Sequence, residues 1–239
     1  MSPRTRTATR TAGRPSVLEQ RASQPLATTD GSAGRGERIG VRKTYKLYIG
    51  GAFPRTESGR SYEVFGARGE LLANASRGTR KDIREAVRAA RKAQPGWWAK
   101  TAYNRSQILY RIAELMEGRR DQFTAEVAAA EGVGRVRAAR LVDASIDRWV
   151  WYAGWADKYS QVVGTVNPVA GSYFNFSVPE PTGVVGVISP EGSSLLGLVS
   201  RLAPVIVSGN AAVVVASESR PLPAVTLTEV LATSDVPGG

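Results

Sequence analysis

The sequence contains no cysteine and no histidine among its 239 residues. Without cysteine, this chain has no disulfide, no thiolate nucleophile and no thiolate metal ligand. Without histidine it has no side chain that ordinarily titrates near neutral pH, which excludes a Ser-His-Asp triad and a histidine-ligated zinc site. Long apolar runs are missing too, since no stretch approaches the roughly 18–20 residues that a bilayer crossing requires. We therefore expect neither a metal site nor a membrane-spanning segment.

Positive charge is plentiful and unevenly placed. The formal net charge is +11, and residues 1–44 hold nine Lys/Arg against three Asp/Glu, so more than half of the excess lies there. The same stretch is rich in Arg, Ser, Thr, Gly and Pro and poor in large apolar residues. Such a segment cannot bury enough surface to offset the entropy of ordering it. Residues 1–44 are therefore predicted to form a disordered basic tail.

The basic tail has three competing interpretations. Its arginine content is typical of codon bias in a GC-rich genome, which requires no function. It is also the kind of electrostatic footprint that binds nucleic acid. Finally, the first 18 residues contain four Arg and no acid, which fits a mitochondrial transit peptide, although Pro3 and Pro15 disfavour an amphipathic helix there. A cytoplasmic location is our expectation, with mitochondrial import as the alternative.

Ordered structure is predicted to begin at Tyr45 with two strands. Residues 46–49 are followed by Gly50-Gly51, which indicates a strand and a tight turn. Residues 61–65 alternate in polarity as a strand with one buried face does. The two strands are predicted to pair with each other as a hairpin.

Four helices are predicted to follow. Thr79 and Asp82 have the spacing of a capping box, which places a helix start at Thr79. Pro95-Gly96 is predicted to end that helix. Apolar residues at helical spacing predict the other three, at about 103–118, from Asp121 onwards with Phe123 and Val127 inward, and at about 135–159.

The periodicity changes after residue 164. Residues 173–178 are predicted to be an extended strand. Two short apolar runs, 183–189 and 211–216, are typical of strands buried on both faces, and helical patterns follow them at 193–207 and 222–232. Strand, helix, strand, helix is the beginning of a parallel, doubly wound sheet.

Several short motifs, taken in order, resemble the aldehyde dehydrogenases. Residues 180–190, Glu-Pro-Thr-Gly-Val-Val-Gly-Val-Ile-Ser-Pro, resemble the start of their nucleotide-binding domain. Further matching motifs are Leu47-Tyr48-Ile49-Gly50-Gly51, Tyr152-Ala153 through Lys158, Leu202-Ala203-Pro204, Ser208-Gly209-Asn210, Ser217-Glu218, Pro221-Leu222 and Val236-Pro237-Gly238-Gly239. The resemblance covers about residues 45–239, and its specificity lies in the order and spacing of the motifs.

The resemblance implies an α/β fold of the aldehyde dehydrogenase type, in which an N-terminal hairpin and helices lead into an incomplete doubly wound, Rossmann-like parallel sheet. It divides the chain into the tail (1–44), a segment with the hairpin, the helices and an oligomerisation strand (45–182), and a partial nucleotide-binding domain (183–239). In the family, the part that resembles 160–180 contributes to oligomerisation.

The resemblance also implies a chemistry, the oxidation of an aldehyde to an acid with NAD or NADP. In the family a cysteine attacks the aldehyde and a glutamate activates water, and the matching positions lie beyond residue 239. No catalytic residue is therefore assigned here. By family position, the cofactor-binding residues are expected to be Ile188, Ser189, Pro190 and Glu218, with a place at the start of a helix as the alternative role of Glu218.

Three positions depart from the family pattern. Glu191 and Gly192 stand where the family usually has Trp-Asn, whose Asn side chain helps to stabilise an oxyanion, and loss of one such donor costs on the order of 10²–10³ in rate. Glu191 is expected to bring negative charge towards that site. Val215 stands where a Lys usually contacts the adenosine ribose. Ser193 and Ser194 are interpreted as residues at a helix start, not as nucleophiles.

From these departures we expect a non-catalytic member of the family that acts as a partner subunit, in a homo-oligomer or together with a full-length aldehyde dehydrogenase. Because an unfinished parallel sheet exposes a strand edge, the chain alone is expected to be poorly stable. Two alternatives remain. One is the N-terminal fragment of an active NAD(P)-dependent aldehyde dehydrogenase, and the other is a protein that binds nucleic acid through its basic tail.

Overall fold

A computed structural model describes residues 41–239. The predicted basic tail and the transit-peptide alternative fall outside this range, except for residues 41–44. The strands of the range are β1 (Thr44–Tyr45), β2 (Ser61–Phe65), β3 (Leu71–Ser76), β4 (Val184–Ile188) and β5 (Ala211–Val215). Its helices are α1 (Arg80–Trp98), α2 (Ala102–Glu117), α3 (Arg120–Glu131), α4 (Arg135–Ala153), α5 (Tyr159–Val163), α6 (Leu196–Val207) and α7 (Leu222–Leu231).

The first sheet has the strand order β1-β3-β2, with β3 at its centre. β2 runs antiparallel to β3, and β1 runs parallel to it. The predicted hairpin between residues 46–49 and 61–65 is therefore wrong. β3 escapes sequence reasoning because its buried positions are Ala73 and Ala75, which are too small to mark an apolar alternation.

Residues 46–49 fold back on a tight turn of their own. Ile49 and Ala52 exchange two N–H···O bonds of 3.0 and 3.1 Å. Gly50 and Gly51 both have positive φ, 62° and 76°, as a two-residue turn of this kind requires. The tight turn predicted from the Gly-Gly pair is confirmed, and its partner segment lies immediately after it.

The capping box that begins α1 is confirmed. The Thr79 hydroxyl accepts the Asp82 backbone N–H at 3.3 Å, and the Asp82 carboxylate accepts the Thr79 N–H at 2.8 Å. The predicted end of this helix at Pro95-Gly96 is wrong, since α1 continues to Trp98. The last turn is held from outside: Trp97 is buried and its indole N–H donates to the Ile206 carbonyl at 2.8 Å.

Helices α2, α3 and α4 pack around a shared apolar core. Its fully buried side chains include Leu109, Ile112, Met116, Phe123, Val127, Val142 and Trp149. The predicted single helix at 135–159 is wrong, because α4 ends at Ala153 and α5 begins at Tyr159. After Gly154 the backbone tightens into turns, with the Trp155 N–H bonded to the Tyr152 carbonyl at 3.0 Å.

Strands β4 and β5 form a parallel pair, in register from Val184 opposite Ala211 to Ile188 opposite Val215. α6 makes the crossover between them and α7 follows β5, which confirms the predicted strand-helix-strand-helix order. Burial on both faces is wrong for this chain, because Ile188 is 74% exposed and Val215 is 49% exposed. In the described residues each of the two strands has one neighbour only, so their outer edges stay uncovered.

Residues 165–177, which we call the ribbon, double back across an exposed turn. The Asn167 N–H donates to the Asn175 carbonyl and the Ser177 N–H to the Thr165 carbonyl, both at 2.8 Å. The prediction of a regular strand at 173–178 is wrong, since the pairing amounts to a single bridge between Val166 and Phe176.

Candidate functional site

The carboxyl ends of β4 and β5 lie side by side because the two strands are parallel and in register. Open α/β sheets bind ligands beyond this end of their strands. The Ser189 N–H extends the pairing by one residue, with a 2.9 Å bond to the Val215 carbonyl. Two loops leave the sheet here, 189–195 after β4 and 216–221 after β5.

The four predicted cofactor-binding residues all lie near this end of the sheet, but they border two separate spaces. Ile188, Ser189 and Pro190 line an open cleft of about 600 Å³ along the outer edge of β4. Glu218 lines a different groove of about 570 Å³, which lies between β5, α7 and residues 45–50. Ser189 is buried, and its hydroxyl has no hydrogen-bond partner among residues 41–239.

Glu191 joins the two loops. Its Oε2 accepts the Ser217 hydroxyl at 2.6 Å and the Ser219 backbone N–H at 3.3 Å, and it also accepts the Ser219 hydroxyl. Its Oε1 accepts the Glu218 backbone N–H at 3.0 Å. The Arg220 guanidinium adds a bond to the Glu191 main-chain carbonyl at 3.0 Å.

The hydrogen bonds from Ser217 and Ser219 lower the pKa of Glu191 to about 2, against a small opposing effect of burial. Glu191 is therefore ionised at any ordinary pH. Tyr62 on β2 lies close enough to be affected: burial raises its pKa, and the negative charges of Glu218 and Glu191 raise it further. The expected negative charge of Glu191 is thus present, but it is turned onto the 217–219 loop.

Sequence reasoning missed this arrangement. Its signal was the polar run Ser217-Glu218-Ser219-Arg220 directly after the apolar run 211–216, which is typical of a loop that presents hydroxyl and N–H donors. The separation of 26 residues between Glu191 and Ser217 gives no indication that their side chains form a hydrogen bond.

Gly192 and Val215 supply no polar side-chain atom at this end of the sheet. A Cβ added to Gly192 would meet no atom within 4 Å, so the surrounding structure has room for a larger residue at this position. The nearby cations are turned onto the main chain: Arg201 donates to the Ile188 carbonyl at 3.1 Å, as Arg220 does to Glu191.

The two serines before α6 stabilise structure. The Ser193 hydroxyl accepts the Gly197 N–H at 2.9 Å, in the first turn of α6, whose N-cap position is occupied by Leu195. Ser194 is fully buried, and both its N–H and its hydroxyl donate to Glu131, at 2.8 and 2.7 Å. Both serines precede α6, which begins at Leu196, and neither is its N-cap residue, so their interpretation as residues at a helix start is correct for their position only.

No cluster of three or more acidic side chains that could hold a metal ion occurs between residues 41 and 239. None of the helices in that range is both long and apolar enough to cross a bilayer.

The sequence profile described as "Aldehyde dehydrogenase family" matches residues 55–239. The chain belongs to the aldehyde dehydrogenase family. The match includes both parallel strands, the crossover helix, the ribbon and the four long helices before it, which confirms the family and the fold class inferred from the motifs.

Curated family members resemble the chain over most of its length. Aldehyde dehydrogenase 1A1 of Gallus gallus is 34% identical over 204 residues, which are 82% of this chain and 39% of that protein. Mitochondrial benzaldehyde dehydrogenase of Antirrhinum majus is 33% identical over 198 residues, 81% of this chain and 36% of that protein. The chain thus spans about two fifths of the length of these relatives.

A solved structure shows the same fold. The NAD⁺ complex of aldehyde dehydrogenase from Bacillus cereus superimposes with a TM-score of 0.77 at 26% identity, over 82% of this chain and 40% of that one. The partial Rossmann-like architecture of residues 183–239 is therefore that of the family.

The side chains in this range do not make a complete site for NAD(P). Val215 offers no donor to a ribose hydroxyl, and the Glu218 N–H is already bonded to Glu191. Ile188 to Pro190 and Glu218 border different spaces and do not converge. At this end of the sheet, the Ser189 hydroxyl is the one buried side-chain group that has no hydrogen-bond partner among the described residues.

Proposed function

We propose that this chain serves as a non-catalytic, subunit-binding part of an aldehyde dehydrogenase-family protein. The observation that carries the proposal is the exposed aromatic surface of the ribbon. Tyr173, Phe174 and Phe176 are 80%, 76% and 57% exposed, and the rings of Phe174 and Phe176 lie 5.3 Å apart. Contiguous apolar surface of this kind marks a protein interface.

Neighbouring residues extend this surface. Val162, Val163, Val166 and Val178 are also largely exposed. The polar side chains on the ribbon hold it together internally: the Asn167 amide donates to Asn175 and to the Ser177 hydroxyl, both at 3.0 Å. A ribbon whose polar groups bond inward and whose aromatic groups face outward is suited to pack against a second subunit, in a homo-oligomer or beside a full-length relative.

The non-catalytic part of the proposal is supported by the strand ends. Gly192 has no side-chain donor for an oxyanion, the Val215 side chain cannot hydrogen-bond to a ribose, and Glu191 adds a negative charge. All three residues lie within 55–239, the range that matches the family profile.

The experiment replaces the exposed aromatics. We expect the double variant Phe174→Ser/Phe176→Ser to lose self-association, or co-purification with a full-length aldehyde dehydrogenase, as measured by size-exclusion chromatography with light scattering. Tyr103→Ser is the matched control, because Tyr103 on α2 is 72% exposed and lies outside the ribbon. A wild-type chain that remains monomeric and binds no such relative contradicts the proposal.

A second candidate is the N-terminal part of an active NAD(P)-dependent aldehyde dehydrogenase. The specific support is the intact pairing of β4 with β5, with Glu218 retained beside the strand ends. The test is NADH or NADPH formation from an aldehyde by the polypeptide that the gene encodes. Turnover abolished by replacing a cysteine beyond residue 239 would favour this candidate over the first.

Nucleic-acid binding is a third candidate, supported by exposed cations on α1. Arg80, Arg84, Arg88, Arg91 and Lys92 recur at helical spacing, and Glu85 pairs with Arg84 and Arg88 at 3.5 and 2.9 Å. Binding would weaken steeply with salt. Removal of residues 1–44 separates a tail effect from a helix effect, and equal binding without the tail eliminates the tail as the binding element.

A further inference from the structure

Residues 217–219 present a compact set of donors beside the parallel strands. Two hydroxyls, from Ser217 and Ser219, and two backbone N–H groups, from Glu218 and Ser219, converge on the carboxylate of Glu191. Successive backbone N–H groups with adjacent hydroxyls form the concave donor sets that bind carboxylates and phosphates.

Part of this turn is held by bonds that do not involve Glu191. Ser217 is 1% exposed, and its hydroxyl also accepts the Arg220 N–H at 2.9 Å, so the turn closes on itself. β5 ends at Val215 and α7 begins at Leu222, which leaves a short connection anchored at both ends. We therefore expect the turn to keep its shape when the Glu191 side chain is removed.

We propose that residues 217–219 form an oxyanion-binding site, which this chain fills with its own Glu191 side chain. Glu191 is then a tethered ligand that competes with a free carboxylate or phosphate. The site is independent of the function proposed above, because it requires neither a second subunit nor a cofactor.

The charges around the site decide which anion binds better. Arg220 favours an anion through its guanidinium, which lies at the Glu191 main-chain carbonyl. Glu218 opposes it, and the Tyr62 hydroxyl is close enough to respond to both carboxylates. A monovalent carboxylate therefore meets less repulsion than a divalent phosphate. Since Glu191 is solvent-exposed, water competes for the same donors, and we expect free anions to bind at about millimolar concentrations.

The test empties the site and refills it. Glu191→Ala is titrated with sodium acetate, sodium phosphate and, for matched ionic strength, sodium chloride, while the melting temperature is followed. We expect about 100 mM acetate to raise the Tm of Glu191→Ala saturably by about 2–6 °C, and phosphate to raise it less. Wild type and the control Glu114→Ala, which changes an exposed glutamate on α2, respond to acetate no more than to chloride.

Equal responses of wild type and Glu191→Ala to acetate would overturn the proposal, because they would reflect a general salt effect. If Glu191→Ala does not fold, two measurements on other forms of the chain decide. Backbone amide exchange at Glu218 and Ser219 is expected to be slowed at least about tenfold in wild type relative to Glu191→Gln. NMR titration is expected to place the pKa of Glu191 in wild type at about 2. Unprotected amides or an ordinary glutamate pKa would also contradict the proposal.

Discussion

The helical layer, formed by α2, α3 and α4, and the parallel strand pair, β4 and β5, bury their residues to very different extents. In α2, α3 and α4 the inward side chains are enclosed from every side, and Trp149, Phe123 and Leu109 have no exposed surface. In β4 and β5, residues of the same apolar type remain open to solvent, as Ile188 and Val215 show. The helical layer closes its core against α6 and α7, with which it shares one buried cluster. The strand pair keeps unpaired outer edges, which other strands or another subunit can cover.

The difference lies in where each element finds partners for its backbone hydrogen bonds. A helix forms its hydrogen bonds internally and needs neighbours only for one apolar face. A strand leaves its N–H and C=O groups unpaired along any edge that has no neighbour, and parallel sheets are normally covered on both faces. The same stretch of chain can therefore finish a helical cluster while it leaves a parallel sheet unfinished at both edges.

The largest effect is expected from the helical core. Replacing the fully buried Trp149 by Ala removes its packing and leaves a cavity, so the free energy of unfolding should fall by about 3–5 kcal/mol in urea titrations. The control is Trp151→Ala on the same helix, where the ring is half exposed and stacks on Trp155 at 5.2 Å between centroids. A loss as large for Trp151 as for Trp149 would show that burial in the helical core does not determine the loss of stability.

A smaller loss is expected from Asp82, which ties α1 to the preceding loop. Its carboxylate accepts the Thr56 hydroxyl at 2.7 Å, the Glu57 N–H at 3.0 Å and the Thr79 N–H at 2.8 Å. Asp82→Asn should cost about 1–3 kcal/mol by urea titration, because the amide retains one acceptor oxygen in place of two. Asp121→Asn, at an exposed aspartate in the first turn of α3, is the matched control and should cost less than about 0.5 kcal/mol.

The same carboxylate predicts a pH dependence. Burial opposes ionisation of Asp82, but the hydrogen bonds from Thr56, Glu57 and Thr79 outweigh it and hold its pKa below the usual value. A lowered pKa stabilises the folded state above the unfolded pKa of about 4, and this contribution disappears as the pH falls through the folded pKa. The stability difference between wild type and Asp82→Asn should therefore shrink below about pH 4. A stability difference that stays constant down to pH 2 would show that the charge of Asp82 does not contribute to it.

The smallest effect is expected at the strand ends. Gly192→Asn should change the melting temperature by less than about 2 °C, because a Cβ there meets no atom within 4 Å. Gly197→Asn is the contrasting variant: its Cβ would lie 2.4 Å from Pro190 and 2.9 Å from Ser193, so it should be clearly destabilised. If both variants melt alike, the strand-end loop is more mobile than its hydrogen bonds indicate.

The sequence predicts the strand-helix-strand-helix order and the capping box correctly because each depends on local patterns. Short apolar runs mark β4 and β5, and Thr79 with Asp82 marks the start of α1. The errors arise where distant contacts decide. The central position of β3 depends on pairing with both β1 and β2, and the last turn of α1 depends on the Trp97 bond to Ile206.

The candidate site was predictable in position but not in content. Ile188, Ser189, Pro190 and Glu218 were placed at the strand ends from the family motifs, and whether they bind a cofactor stays a prediction. Their division between two spaces, and the carboxylate of Glu191 on the 217–219 loop, depend on side-chain directions that no spacing in the sequence specifies.

Titration of the purified 239-residue chain with NAD⁺ and NADP⁺ by calorimetry tests the central claim most directly. That claim is that these residues supply a surface for assembly and not a dinucleotide site. We predict no saturable binding up to about 1 mM of either dinucleotide, which corresponds to a binding free energy weaker than about −4 kcal/mol. Saturable binding of NAD⁺ or NADP⁺ at micromolar concentrations would contradict the claim, and it would show that Val215 and Glu191 do not prevent cofactor binding.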